Sequence, residues 1–150
     1  VFFDRFRGAC DGCEDTTLTC SRGSVIEGIG RPHCEPSFIP ACIDAMVKVP
    51  DALSLGAMRH VSAILGRRVG GSTGTNFVGI LAAATRMREE GQAGSIVSIL
   101  CDSGERYAHS YYNRDWYLRR GIPIVESDDA IATAVAGHGL PALAQADRPN

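Results

Sequence analysis

The residues best suited to chemistry lie between Val69 and Phe77, in the run Val-Gly-Gly-Ser-Thr-Gly-Thr-Asn-Phe. Glycines at 70, 71 and 74 let the backbone turn tightly and approach a ligand with no Cβ in the way. The following segment, 76–90, carries Phe77, Ile80, Leu81, Ala84 and Met87 at helical spacing. The free N–H groups and positive dipole end of such a helix would face back into the glycine run. A Ser or Thr hydroxyl there can cap the helix or reach a polar ligand atom. The pattern describes a capped glycine turn as well as it describes a ligand loop. No Gly-Lys-Ser/Thr follows, and the glycine spacing departs from that of dinucleotide loops.

A second group, Cys101-Asp102-Ser103-Gly104-Glu105-Arg106-Tyr107, follows the apolar run Ser-Ile-Val-Ser-Ile-Leu at 95–100. That run reads as a buried strand of a parallel sheet, and open α/β sheets place ligands at the C-terminal ends of such strands. Glu105-Arg106-Tyr107 is equally compatible with an ordinary salt-bridged loop. The remaining candidates are cysteines. Cys10, Cys13, Cys20 and His33-Cys34 form the one metal-like cluster, but adjacent His33 and Cys34 make a poor chelating pair, so reduced thiols are expected and no metal. Lys48 is the only lysine; the other fourteen basic side chains are arginines.

The elements that would position these groups follow from periodicity and punctuation. Val1–Phe6 reads as the exit of a strand, 8–24 as a surface loop, and Val25–Gly30 as a short strand or extended turn. A helix is expected to open at Pro40 and run over Cys42–Val47, with Val47-Lys48-Val49 a strand cut off by Pro50. Asp51 is the expected N-cap of a helix through Leu65, closed by Gly66. The second helix follows the glycine run, Tyr111–Arg120 is a short helix closed by Gly121, and Asp129–Val135 is a candidate helix in a frayed tail. Strand, helix, glycine loop, helix, strand, helix is an α/β order with too few strands to close a sheet alone.

Composition narrows the classes. The chain has 150 residues, 45% hydrophobic and 21% charged, and a formal net charge of −2. That is globular composition with no basic run, so neither nucleic acid nor a membrane surface is indicated as a partner. No apolar stretch approaches the roughly 20 residues of a membrane span. The chain opens on Val1-Phe2-Phe3, which reads as a protein entered partway through.

Taken together, Glu27-Gly28-Ile29-Gly30 with Phe38-Ile39-Pro40, then Gly70-Gly71-Ser72-Thr73-Gly74-Thr75-Asn76, then Asp102-Ser103-Gly104-Glu105-Arg106-Tyr107 resemble the C-terminal portion of the cysteine synthase/cystathionine β-synthase family. Within it the flavour is that of actinobacterial cysteine synthase-like proteins that include cysteine desulfhydrases. The resemblance covers residues 1–122, leaving 123–150 as a tail that is mostly loop. It implies a partial fold type II (tryptophan synthase β-like) α/β fold, a parallel sheet with flanking helices that is incomplete without N-terminal segments. It also implies pyridoxal 5′-phosphate (PLP) as cofactor, small amino-acid substrates (cysteine, a serine derivative, sulfide), a cytoplasmic location and a homodimer.

The resemblance gives Ser72 the pyridine nitrogen of PLP, with Gly71, Thr73, Cys101 and Asp102 beside it. It puts Gly28, Ile29 and Gly30 at the substrate-side mouth, while Asp102, Ser103 and Arg106 brace the wall. A hydroxyl on the ring nitrogen suits β-elimination and β-replacement through an aminoacrylate, because a neutral partner keeps the ring a moderated electron sink. The family's Schiff-base lysine, substrate-carboxylate loop and phosphate cradle have no counterpart here, and Lys48 does not match the lysine. These residues alone are therefore expected to be an inactive fragment with no catalytic residue of their own. The alternatives are a standalone, non-catalytic α/β remnant binding a small molecule or a partner, and a redox or metal-binding insert around Cys10–Cys34.

Overall fold

The computed structural model describes residues 2–10, 23–30 and 33–148, with backbone only at 5 and 8–10, and divides into two compact units. The first comprises residues 1–48 and 143–150; the second comprises 49–142.

In the first unit, helix α1 spans Phe2–Cys10 where the sequence suggested a strand exit. Phe6 is fully buried, and Phe2 meets Phe38 edge to face at 5.1 Å. Phe2 and Phe6 stand four apart and so share one face of this helix. Residues 24–30 take the turn alternative: Ser24 N–H donates to Gly30 O (3.2 Å) and Ile29 N–H to Ile26 O (3.4 Å). Gly28 and Gly30 sit at φ 82° and 65°, where a side chain would be strained. The helix expected over Cys42–Val47 is only a 3-10 turn, Pro40–Cys42, and strand β1 follows at Ala45–Lys48. Its partner is β2, Ala144–Asp147, antiparallel with Ala45 opposite Asp147 and Lys48 opposite Ala144. Arg148 fastens this ribbon: its N–H donates to Asp44 O (2.7 Å), and its guanidinium pairs with the Asp44 carboxylate (2.7 Å) and donates to Ala41 O.

The second unit is helical. Helix α2 runs Asp51–Leu65, with Pro50 at the N-cap and Asp51 in the first turn, and Gly66 closes it at φ 62°. Helix α3 runs Gly71–Glu89, so the glycine run is the helix's first turn and not a loop before it. The reason is packing. A Cβ on Gly74 would overlap Ser54 O and stand 2.7 Å from Met58 N, both on α2. Glycine here lets two helix backbones approach, and the helix has to extend back through it. Leu55, Ala57, Met58 and Val78 are fully buried in the core that results.

A 3-10 turn at Gly104–Tyr107 and helix α4, Arg114–Arg120, carry an aromatic cluster. Tyr107 stacks on Tyr111 at 4.5 Å, and Trp116 meets Tyr111 and Tyr117 edge to face at 5.5 and 5.4 Å. Gly121 ends α4 at φ 62°, as the sequence suggested. The tail expected after residue 122 is largely structured: α5 spans Ile124–Thr133, a π turn covers Ala134–His138, and β2 lies beyond. Helix α5 packs on α2, where Gly56 faces the Ser127 carbonyl closely enough that a Cβ would lie 2.8 Å from it.

Among the described residues no parallel strands pair. Among the described residues the only sheet is the two-stranded antiparallel ribbon. Residues 95–100 form no strand and are exposed, Val97 at 93% and Ile99 at 72%. A strand satisfies its backbone through neighbours on either side, and the described residues supply none.

Arg59, on α2, joins three helices. Its guanidinium donates to Asp128 Oδ1 (2.9 and 2.6 Å), Ser127 Oγ (3.0 Å) and Tyr117 Oη (2.5 Å). Tyr117 Oη in turn donates to Tyr111 O (2.8 Å). Burial pushes the Tyr117 hydroxyl up to about 12, against the opposing pull of the Arg59 charge. Two predictions follow from this packing. Because the folded pKa lies above the ordinary 10, Tyr117's contribution to stability is complete below pH 10 and is lost as pH rises toward 12, an effect of about 2–3 kcal/mol. Denaturant titrations across pH 8–12 will show this decline, and Tyr117→Phe will flatten it. Separately, Gly74→Ala will destabilise by roughly 1–3 kcal/mol through overpacking, despite a helix-propensity gain of about 1 kcal/mol. Gly79→Ala, with nothing within 4 Å of the added carbon, will be neutral or stabilising in the same assay.

Candidate functional site

The N-terminus of α3 is held by the segment after residue 100. Gly70, its N-cap, is extended (φ −73°, ψ 162°) and its N–H donates to Asp102 O at 2.9 Å. Gly104 N–H donates to Arg68 O at 3.1 Å, and Val69 and Ser103 form an antiparallel bridge. The two segments run so close that a Cβ on Gly70 would overlap the Asp102 carboxylate, and one on Gly104 would lie 2.5 Å from Val69 O. Tyr112 closes the other side: its hydroxyl donates to Val69 O (2.7 Å) and accepts from Val69 N–H (3.0 Å), with Ser62 Oγ 2.7 Å away. Thr73, 5% exposed, accepts the Cys101 N–H through Oγ1 at 3.0 Å.

Ser72 stands second in the helix, half-buried, and its hydroxyl makes no hydrogen bond to any described residue. Gly70 offers no side-chain cap, and no acidic residue occupies the first turn. The carboxylate facing this positive helix end comes from another segment: Asp102 Oδ1 lies where a Gly70 Cβ would stand. A neutral hydroxyl so placed can donate to a lone pair or accept from an N–H, and it brings no negative charge. Asp102, by contrast, is engaged: its Oδ2 accepts the Tyr107 hydroxyl at 2.8 Å and lies 4.0 Å from Arg106. It acts as a brace between the wall and the aromatic cluster.

Ser72, Gly71, Thr73, Cys101 and Asp102 thus meet in the second unit, as one junction. Arg106 lies over Tyr107 at 5.3 Å, and Ser103 caps the 3-10 turn by accepting Glu105 N–H at 3.4 Å. Gly28, Ile29 and Gly30 lie on the 24–30 turn of the first unit. Lys48, also there, ends β1 and is exposed. Cys13, Cys20 and the Cys10 side chain fall outside the described residues. Cys34, Cys42 and Cys101 are free thiols, and among the described residues no group of His, Cys, Asp or Glu is placed to hold a metal. Sequence reasoning missed Tyr112 and Ser62 and gave Asn76 no role of its own, though all three hold the junction together. Asn76 donates to Ile99 O at 3.0 Å and reaches Cys101 Sγ at 3.5 Å. The Ser62 and Tyr112 contacts span 7 and 43 residues from Val69, and nothing in local pattern marks them.

No protein-family model matches the chain. Individual proteins do. L-cysteine desulfhydrase Cds1 of Mycobacterium tuberculosis (strain ATCC 25177 / H37Ra) is 54% identical over 117 residues, which are 78% of this chain and 31% of that protein. A putative cysteine synthase of Sinorhizobium fredii is 31% identical over 64% of this chain and 26% of its own length. Cystathionine beta-synthase of Dictyostelium discoideum is 32% identical over 65% of this chain and 19% of its own. The chain therefore spans a third or less of the length of these curated relatives. Over the stretch it shares with them, it belongs to the cysteine synthase/cystathionine β-synthase family.

Proposed function

We propose that this chain is the C-terminal portion, residues 1–122, of the catalytic domain of a PLP-dependent enzyme of cysteine metabolism, and that the Ser72 junction holds the pyridine side of the cofactor. The observation that carries this reading is the Ser72 hydroxyl: half-buried at a helix N-terminus, without a partner among the described residues, and set in a backbone so tightly approached that Gly70 admits no Cβ. Residues of this kind fit a heteroaromatic nitrogen. Thr73 and Cys101 hold the neighbouring backbone, and Asp102 supports the wall through Tyr107.

When bound, PLP supplies the electron sink for cleavage at the β-carbon of an amino acid. This chain's own part is to orient the ring through Ser72 and to limit how strongly its nitrogen attracts a proton. A hydroxyl is far less basic than a carboxylate, so it does not favour a fully protonated ring. The amine that would hold PLP covalently and move the substrate proton is not assigned to Lys48, which is exposed at the end of a strand. Of the two reactions open to the family, we assign cysteine breakdown, releasing sulfide. The 54% identity to a desulfhydrase, against 31% to a putative cysteine synthase, supports this choice.

The reading extends to the fold. Residues 95–100, apolar and exposed, would be one strand of a parallel fold type II sheet whose other strands lie in the part of the relatives this chain does not span. The substrate would be a small amino acid, the location cytoplasmic and the assembly a homodimer. No helix among the described residues is long and apolar enough to cross a membrane.

The test uses the full gene product. Ser72→Ala is expected to lower sulfide release from L-cysteine by up to about 100-fold, the scale of a reacting group misplaced by about an ångström. The cofactor's visible absorption should persist in the variant. Full activity in Ser72→Ala would remove Ser72 from the site, and absence of cofactor absorption in the unaltered protein would overturn the whole reading.

A further inference from the structure

We infer that Thr73 is a positioning residue, whose hydroxyl locks the first turn of α3 to the 101–104 segment and thereby holds the Ser72 hydroxyl in its working direction; this rests on the role proposed for Ser72. Neighbouring side chains on a helix turn about 100° apart, so Ser72 and Thr73 cannot face the same way. Thr73 points inward, 5% exposed, and accepts the Cys101 N–H at 3.0 Å. Ser72 is left half-buried and free of described partners. One side chain is thus spent on anchoring the turn, and the other is presented by it.

The anchor matters because the 92–101 segment lacks regular structure. No ladder fixes its register against α3. Cross-links do so instead: Thr73 Oγ1 to Cys101 N–H, Asn76 Nδ2 to Ile99 O at 3.0 Å, and Gly70 N–H to Asp102 O at 2.9 Å. The Thr73 bond is the one made by a buried side chain in the same helical turn as Ser72. Without it, Cys101 N–H loses its acceptor, and the turn keeps only the Gly70 contact as its direct tie to the wall. A displacement of about an ångström at a reacting group is enough to reduce turnover by up to about 100-fold.

Thr73→Val keeps the shape and removes the acceptor, while Thr73→Ser keeps the acceptor and removes a methyl group. In the full gene product, Thr73→Val is expected to lower kcat for sulfide release by roughly 10-fold or more with KM changed about 2-fold or less, and to shift the cofactor's fluorescence. Thr73→Ser restores most of the loss. Because Thr73 acts through Ser72, the Ser72→Ala/Thr73→Val double variant is expected to be no slower than Ser72→Ala alone. Losses that multiply, or failure of Thr73→Ser to rescue, would overturn the inference. An active Ser72→Ala would instead sink the cofactor reading on which it rests. Normal turnover in Thr73→Val beside an impaired Ser72→Ala would remove only the positioning role. If the valine variant does not fold, hydrogen exchange at the Cys101 amide of the unaltered protein decides. Slow exchange is expected, and exchange as fast as that of a free amide would overturn the proposal.

Discussion

The contact between Gly74 and the Ser54 carbonyl governs the second unit. Because no side chain intervenes, α3 lies against α2 at backbone distance. A short bond spanning the interface, Thr75 Oγ1 to Ser54 Oγ at 2.9 Å, sits one residue further on. This closeness accompanies a helix start at Gly71, which sets Ser72 and Thr73 in its first turn. A bulkier residue at 74 would separate the helices, and the Gly70–Asp102 and Thr73–Cys101 bonds would have to lengthen with them.

Around that pair the other elements are fastened by polar groups buried in a largely aromatic setting. Arg59 is the clearest case, reaching Asp128 and Ser127 on α5 and Tyr117 on α4 from one guanidinium. An arginine with several oriented acceptors and an aromatic face at 4.9 Å loses little by leaving water. Tyr112 plays a comparable part at the site, satisfying both the donor and the acceptor of Val69. One buried polar atom stands outside this pattern: His60 Nε2, near Phe77, has no hydrogen-bond partner among the described residues.

The apolar residues at 96–100 show how an element can be written in a sequence and yet not form. Val97 and Ile99 have the composition of a buried strand, but a strand is a cooperative object that exists only with its neighbours. The segment stays exposed, tethered at its end by Asn76 and Thr73. The reverse holds for Ala144–Asp147. Ala-Gln-Ala-Asp carries no strand pattern, yet it pairs with Ala45–Lys48 a hundred residues away and is held there by Arg148.

What the sequence determined by itself is local. Gly66 and Gly121 end their helices in the left-handed region because only glycine enters it without strain, whereas Ile64 and Leu65, apolar at the end of α2, stay exposed. The three motifs around Gly28, Ser72 and Asp102, taken in order, also indicated the family, since backbone turns and polar groups at fixed spacing survive as residue types. Tertiary structure decided the rest. Whether Gly74 makes a bend or a close helix contact depends on what lies opposite it, and that is Ser54, twenty residues earlier. Likewise, among the described residues Thr73 has a partner and Ser72 none because Cys101 arrives beside one and not the other. Those distinctions arise from pairwise distances between remote residues, which no local pattern encodes.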